Sequence, residues 1–464
     1  MSLDDLIIVW FCLIDDVLPL AVGNKRLHMS GPMPPIFNLE KTKAMPDYDY
    51  VIVGGGISGL MTALRLATCG FRIGLFEKGE IGSEASTSNH GMIHSGALYA
   101  ELHPDVAAMC VEANTLFRQT FSDAIVPLED TWYFASSQRL EHFKQLWQLH
   151  GIPFTDVERT TWEAILQSEP TTSISCASLP DFVVSPRRIL VELVQLCLDL
   201  GVEISPMTSV HEIIVRQGTA AAIRVGLRET VSAHQVILCA GLGLMNFLKQ
   251  IESRALGQLR PRLGMMVLFD NYRLNRALLC LEQGGPTVAP TYGSPVLVSL
   301  FNGLQPNIRR NGKWPVAASQ ITEVVKQTRK YLQNDMLCLE TGRAYVCSKT
   351  ELAVGNDTWA TKPAFVCMNH ERIDGIRHLW SLIPGKWTLS FHATHSLVSQ
   401  LLHENLGLNL PIQVHTVSAA ADDVVATEPW WDPDKKPLQS FSNREPSVVT
   451  SVPEREHQAQ LIPN

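Results

Sequence analysis

The chain lacks Cys-x-x-Cys pairs, an excess of basic residues and any apolar run long enough to cross a bilayer. Each absence excludes something. Its 10 cysteines stand apart, most of them in apolar runs such as Val236-Ile-Leu-Cys-Ala, so neither a secreted disulfide framework nor a structural zinc site is expected. They read as reduced thiols packed like small hydrophobes, in keeping with a cytoplasmic protein. Lys and Arg number 38 against 46 Asp and Glu, a net charge of −8. No overall field favours nucleic acid, and no such partner is expected. The strongest apolar run, Ile7 to Ile14, falls short of the roughly 20 residues a spanning helix needs. Asp4-Asp5 ahead of it speaks against a signal peptide.

What is present is a globular composition. The chain has 464 residues, 45% hydrophobic and 18% charged, with mean hydropathy +0.05. That is enough to bury a large core, and at roughly 150 residues per domain it suggests two or three domains. Pro32, Pro34, Pro35 and Pro46 mark a linker that closes an N-terminal extension, 1–47. The other end, 413–464, with Glu428-Pro-Trp-Trp-Asp-Pro and repeated Ser, Pro and charge, is expected to be a flexible tail.

The informative stretch opens at Tyr48. Tyr48-Asp-Tyr-Val-Ile-Val reads as a buried strand and runs into Gly54-Gly-Gly-Ile-Ser-Gly59, a G-x-G-x-x-G of Gly54, Gly56 and Gly59. Leu60 to Ala67 continues at helical spacing, and a second strand ends at Glu77. The glycines permit a tight turn and close approach to a pyrophosphate, which rests on the helix N-terminus where free N–H groups favour anions. An acid at the end of the second strand suits ribose hydroxyls and disfavours a 2′-phosphate, pointing to FAD or NAD rather than NADP. The following stretch, 79–99, is small, polar and rich in glycine. Such a loop can follow an elongated cofactor closely, which favours FAD.

Here the sequence resembles the FAD-dependent oxidoreductases of the D-amino-acid oxidase superfamily, in the glycerol-3-phosphate and L-2-hydroxyglutarate dehydrogenase branch. Ser86-Thr-Ser-Asn-His-Gly-Met-Ile-His-Ser-Gly and His103-Pro-Asp-Val-Ala-Ala-Met-Cys-Val-Glu-Ala-Asn carry the likeness. Leu179-Pro-Asp-Phe-Val-Val-Ser-Pro-Arg-Arg, His234-Gln-Val-Ile-Leu-Cys-Ala-Gly and Ile383-Pro-Gly-Lys-Trp-Thr follow in order. The first 35 residues separately resemble the start of insertion-sequence transposases, in Ser2-Leu-Asp-Asp-Leu-Ile-Ile and Phe11-Cys-Leu-Ile-Asp-Asp. That likeness suggests a fused or mis-started end and assigns no function.

The superfamily resemblance implies an α/β Rossmann-like FAD-binding domain from 48–125, 181–256 and 353–412. It also implies an antiparallel-sheet substrate domain from 126–180 and 257–352. By similarity, Gly54, Gly56 and Gly59 hold the pyrophosphate and Glu77 the ribose, with Ser58 and Lys78 among the cofactor contacts. Ser86, Asn89 and His90 lie along the cofactor toward its ring. The Val210 strand cradles adenine, Ala240 and Gly241 approach the dinucleotide, and Gly385, Lys386 and Trp387 line the N1 side of the ring. His94, and after it His90, are candidates to take a substrate proton while hydride passes to flavin N5.

By similarity Arg343 stands where relatives place a substrate-roof arginine, with Lys349 on the same segment, and an arginine fork suits a carboxylate; Arg260 and Arg262 read as structural. Two arginines of the glycerol-3-phosphate branch are missing, where Ser88 and Leu98 stand, so a hydroxy acid or amino acid fits no worse than a phosphate. The expected activity is oxidation of the C–OH carbon of a small anionic metabolite, a 2-hydroxy acid or polyol phosphate. Electrons would go to a quinone, a protein or oxygen, and peripheral membrane contact stays open. The alternatives are a C–N oxidase of the same superfamily and a non-catalytic flavin-binding protein that relays electrons.

Overall fold

The computed structural model describes residues 46–167, 173–226, 229–269, 274–291, 295–300, 316–333, 343–355, 361–404, 406–410 and 417–428. The transposase-like segment and the end of the chain beyond 428 lie outside these residues.

Two sheets organise the chain. The first contains β1 (Tyr48–Val53), β2 (Ile73–Phe76), β8 (Glu203–Ser205), β9 (Val210–Arg216), β10 (Thr219–Val225), β11 (Glu229–Leu238), β18 (Val366–Asn369) and β19 (Leu379–Ile383). Its order is β18-β19-β11-β1-β2-β8, with β10 on β11 and β9 on β10. The central pairs β1–β2, β1–β11, β11–β19 and β2–β8 are parallel. The last four residues of β1 are buried, as a central parallel strand requires. Helix α1 (Ile57–Thr68) packs on α5 (Pro186–Asp199) and α9 (Ser390–Leu402), joining Leu60 and Leu64 to Leu190, Leu193, Phe391 and Leu397 in one core. Burying Arg65 in this core is offset by hydrogen bonds to Thr394 Oγ1 and to the Gly407 and Leu408 carbonyls.

The second sheet is built from β4 (Thr131–Ser136), β5 (Thr155–Asp156), β6 (Ile174–Leu179), β12 (Leu259–Phe269), β13 (Ala277–Cys280), β14 (Pro286–Pro290), β15 (Val296–Leu300), β16 (Arg343–Ala353) and β17 (Thr361–Lys362). Its order is β17-β16-β12-β15-β14-β13-β4-β6-β5. Expected to be antiparallel, it is so except where β13 runs parallel to β4, because the two strands arrive from separate stretches of chain and no hairpin dictates their sense. β17 belongs to this sheet, beyond the boundary placed at 352. Around it are α3 (Ser137–Leu149), α4 (Arg159–Trp162) and α7 (Ala318–Arg329).

A two-stranded ribbon, β3 (Met92–Ile93) with β7 (Phe182–Val183), is tied to helix α2 (Pro104–Thr120) by Asn114, whose amide donates to the Ile93 and Pro180 carbonyls. Further short helices are α6 (Leu244–Gln250), α8 (His370–Asp374) and α10 (Ala419–Asp423). α10 corrects the expectation of a tail from 413. It packs on α5, Ile81 pairs with Val425, and buried Glu428 accepts from Ser185 Oγ at 3.1 Å. Apolar Val425 and the Ser185 hydroxyl supply the burial that local composition does not suggest. No helix among the described residues is long and apolar enough to cross a membrane.

Candidate active site

The turn after β1 leaves no room for side chains. Gly54 has φ +113°, and a Cβ there would stand 2.5 Å from the Cys239 carbonyl oxygen. A Cβ on Gly56 would meet Ser86 Oγ at 2.9 Å, and one on Gly59 would overlap the Gly54 carbonyl oxygen. Only glycine lets the first turn of α1 close against β1 in this way. The Ile57 N–H at the start of α1 donates to Ser86 Oγ at 3.1 Å. Glu77 accepts from the Gly55 N–H at 2.7 Å and the Gly79 N–H at 3.1 Å, which holds its carboxylate at the edge of the turn.

The loop that follows carries the imidazoles. Asn89 is consumed inside the loop: its amide donates to the Ala85 and Ser86 carbonyls and accepts from the Gly91 N–H. His90 Nδ1 accepts from the Met92 N–H at 3.1 Å, which leaves the neutral ring's proton on Nε2. Burial, with His94, Lys386 and Lys349 nearby, pushes its pKa well below the usual histidine value. A ring so held presents an N–H donor at Nε2.

His94 is placed differently. Ile93 pairs with Phe182 in the β3–β7 ribbon, so one step further His94 faces Asp181. Its Nδ1 lies 3.3 Å from Asp181 Oδ1. Asp181 also accepts from Tyr133 O–H at 2.8 Å and, through a short contact, from Ser95 O–H. Its side chain is fully buried. The His94 ring packs edge-on against Tyr99 at 5.3 Å, and Lys386 Nζ lies 5.1 Å from the centre of the Tyr99 ring.

A cationic wall stands near these residues. Arg262 on β12 is registered opposite Lys349 on β16, so both project from one face of the sheet. Lys349 Nζ contacts Glu351 at 2.6 Å, with Lys386 Nζ 4.0 Å from the same oxygen. Burial pushes the Glu351 pKa up, but the two lysines and hydrogen bonds outweigh it and hold it at about 2. Burial and neighbouring Lys349 bring Lys386 down to about 7, with Glu351 opposing.

One cavity of about 960 Å³ joins these parts. Its walls include Gly54, Gly56, Ser58, Glu77, Lys78, Ser86, Asn89, His90 and His94 from the first stretch. Val210, Ala240, Gly241, Gly385, Lys386 and Trp387 complete the set expected from the sequence. Lys78 is occupied by an exposed ion pair with Glu84 at 2.6 Å. Gly59 supports the turn from behind. Arg343 begins β16 opposite Leu268, and its side chain lies outside the described residues. Arg262, read as structural, lines the cavity and has no hydrogen-bond or ion-pair partner among the described residues, whereas Arg260 is spent on the Gly257 and Leu259 carbonyls. Sequence reasoning misses Asp181, Tyr99 and Glu351. The signal for Asp181 is a lone acid between two apolar runs, a placement that burial permits only with partners.

Comparison with known proteins shows the family and the fold. Residues 49–353 match the family model described as DAO, FAD dependent oxidoreductase. One polypeptide of the anaerobic glycerol-3-phosphate dehydrogenase of Escherichia coli (strain K12), a subunit of that enzyme, is 24% identical over 250 residues, 52% of this chain and 45% of that protein. The chain thus spans about half the length of the curated relatives it matches. The mitochondrial L-2-hydroxyglutarate dehydrogenase of Caenorhabditis briggsae is 37% identical over 95 residues, 20% of this chain and 22% of that protein. Among solved structures, L-α-glycerophosphate oxidase from Mycoplasma pneumoniae with FAD bound superposes with TM-score 0.62 at 17% identity, covering 80% of this chain and 99% of the other.

The residues present fit such a cofactor. Gly54 and Gly56 line the cavity at the N-terminus of α1, where a side chain on Gly56 would crowd Ser86 Oγ, so bare backbone faces the space a pyrophosphate needs. Trp387 Nε1 in the cavity wall is buried without a partner among the described residues, a donor awaiting an acceptor.

Proposed function

Because the chain belongs to the DAO family of FAD-dependent oxidoreductases, we propose that it oxidises the C–OH carbon of a small anionic metabolite, a 2-hydroxy acid or polyol phosphate. One observation carries this reading: the His94 imidazole and the Arg262, Lys349 and Lys386 cations border the same cavity as the glycine cradle. The flavin, when bound, supplies the two-electron acceptor.

The chain's own groups do the rest. Gly54, Gly56 and the α1 N-terminus bind the pyrophosphate, and Glu77 takes the ribose hydroxyls with the lone pairs its backbone donors leave free. Val210, Ala240 and Gly241 border the nucleotide half, and Gly385, Lys386 and Trp387 the ring half. Arg262 and Lys349 hold the substrate's acid group, where a guanidinium fork and an ammonium suit carboxylate or phosphate. His94 Nε2 accepts the proton of the substrate hydroxyl. Tyr99 and the apolar side chains of the second sheet exclude water from this end. The relatives named for glycerol 3-phosphate and L-2-hydroxyglutarate dehydrogenation support C–OH chemistry. The Escherichia coli relative is one part of a larger enzyme, which supports a partner protein as electron acceptor, ahead of quinone or oxygen.

The test is anaerobic. Purified protein carrying flavin is mixed with panels of 2-hydroxy acids, polyol phosphates and amino acids while the visible band is followed. Bleaching by either of the first two panels is the expected result. Bleaching by amino acids alone would move the protein to C–N chemistry, and a band that none of them bleaches would make it an electron relay.

A further inference from the structure

We propose that Asp181 is a positioning residue for His94, fixing the imidazole in the tautomer that keeps its Nε2 lone pair available to the substrate. The inference rests on the reading of His94 as the proton acceptor and adds the device that makes it one.

The β3–β7 ribbon sets the two residues opposite each other, so their side chains fall on one side of the strands. Asp181 Oδ1 lies 3.3 Å from His94 Nδ1. A carboxylate only accepts, so the ring shares its proton at Nδ1 and presents a bare Nε2. No described residue bonds that Nε2, and His94 lines the cavity. The carboxylate cannot turn away. Tyr133 and Ser95 donate to its two oxygens, and Thr131 Oγ1 donates to the Asp181 carbonyl at 2.8 Å. Four strands, β3, β4, β6 and β7, therefore converge on its position.

The surrounding charge explains why such a partner is needed. His94 must become an imidazolium during proton uptake, with Lys386 beyond the adjacent Tyr99 ring and Lys349 beside it. Glu351 is engaged with those two cations, so Asp181 is the carboxylate in direct contact with the ring that takes the new charge. His90, four residues earlier and 5.9 Å away ring to ring, has no carboxylate partner among the described residues and is held by a backbone N–H in the opposite tautomer. The same loop thus carries one donor ring and one acceptor ring.

The experiment uses the full-length holoenzyme labelled with ¹⁵N-histidine, the His94 signals being assigned by their loss in His94→Gln. Wild-type protein is expected to show protonated Nδ1 and bare Nε2 at His94, and Asp181→Asn to reverse or mix the two. A wild-type ring protonated at Nε2, or an Asp181→Asn ring with the wild-type tautomer, overturns the proposal. If Asp181→Asn fails to fold, the wild-type spectrum decides. Rates of flavin bleaching by L-2-hydroxyglutarate and by glycerol 3-phosphate form a second arm. Asp181→Asn and His94→Gln are each expected to slow whichever probe reacts by on the order of 10²–10⁴-fold. The double variant is expected to be no slower than the worse single one. An unimpaired His94→Gln would overturn the base assignment, whereas a slow His94→Gln beside an unimpaired Asp181→Asn would overturn this inference alone.

Discussion

The Gly54 carbonyl oxygen occupies the space that a side chain on Gly59 would need. Helix α1 can begin against β1 only because that side chain is missing. Gly59→Ala forces the helix away from the strand, at a cost of about 3 kcal/mol for overpacking a rigid backbone contact. The expected outcome is a lower melting temperature together with loss of bound flavin. A variant that melts like the wild type and stays yellow would contradict it.

Glu351 neutralises Lys349 and, at longer range, Lys386. Its pKa is held at about 2 against an ordinary 4.5. A depressed carboxylate contributes stability above its unfolded pKa and loses it as pH falls toward the folded one. Wild-type protein is therefore expected to lose more stability between pH 4.5 and about 2 than Glu351→Gln, by up to about 3 kcal/mol. Urea titrations of both proteins across that window measure the difference; parallel curves would remove Glu351 from the account.

Arg262 and Arg260 sit two residues apart on β12 with different surroundings. Arg260 donates to the Gly257 and Leu259 carbonyls, and Arg262 lines the cavity. Arg262→Met is expected to raise the half-saturating concentration of an anionic substrate about 10- to 100-fold, the worth of one charge-assisted contact. Arg260→Met is expected to leave it nearly unchanged. Equal effects from the two would argue for a diffuse field rather than a contact.

His370 bridges Asp374 and Ser381, each at 2.7 Å, in an order that imitates a hydrolytic triad. His370 and Ser381 are fully buried, so no substrate reaches the serine. The chain instead ties α8 to β19, which ends at the cavity. Ser381→Ala is expected to cost about 1–2 kcal/mol of stability by stranding His370 Nε2, without changing the rate of flavin bleaching. Activated esters should not be turned over by the wild type; measurable esterase activity lost in Ser381→Ala would refute the structural role.

Much of the nucleotide half is legible in the chain because its signals are local. A strand, three glycines at fixed spacing, a helix and a terminal acid fall within 48–77, and each has a steric or electrostatic reason that near neighbours satisfy. The loop carrying His90 and His94 is legible for the same reason. Their difference is not, because one ring is set by its own backbone and the other by Asp181, which lies 87 residues on.

The second sheet is harder to read. Arg262 looks structural beside Pro261, and Arg343 stands out only by similarity to the arginine that relatives place there. β-Strands alternate faces, and which face meets a cavity depends on the sheet opposite, information that no local window holds. The docked segment 417–428 escapes notice in the same way, since its apolar partner, Ile81, is remote in sequence.

The sequence by itself therefore determined the dinucleotide turn, the order of the elements and the residue types available to the reaction. Tertiary structure alone decided which imidazole meets a carboxylate and which cations share a wall. Backbone conformation is set by residues close along the chain, whereas tautomer, pKa and charge pairing are set by neighbours brought together only when the two sheets pack.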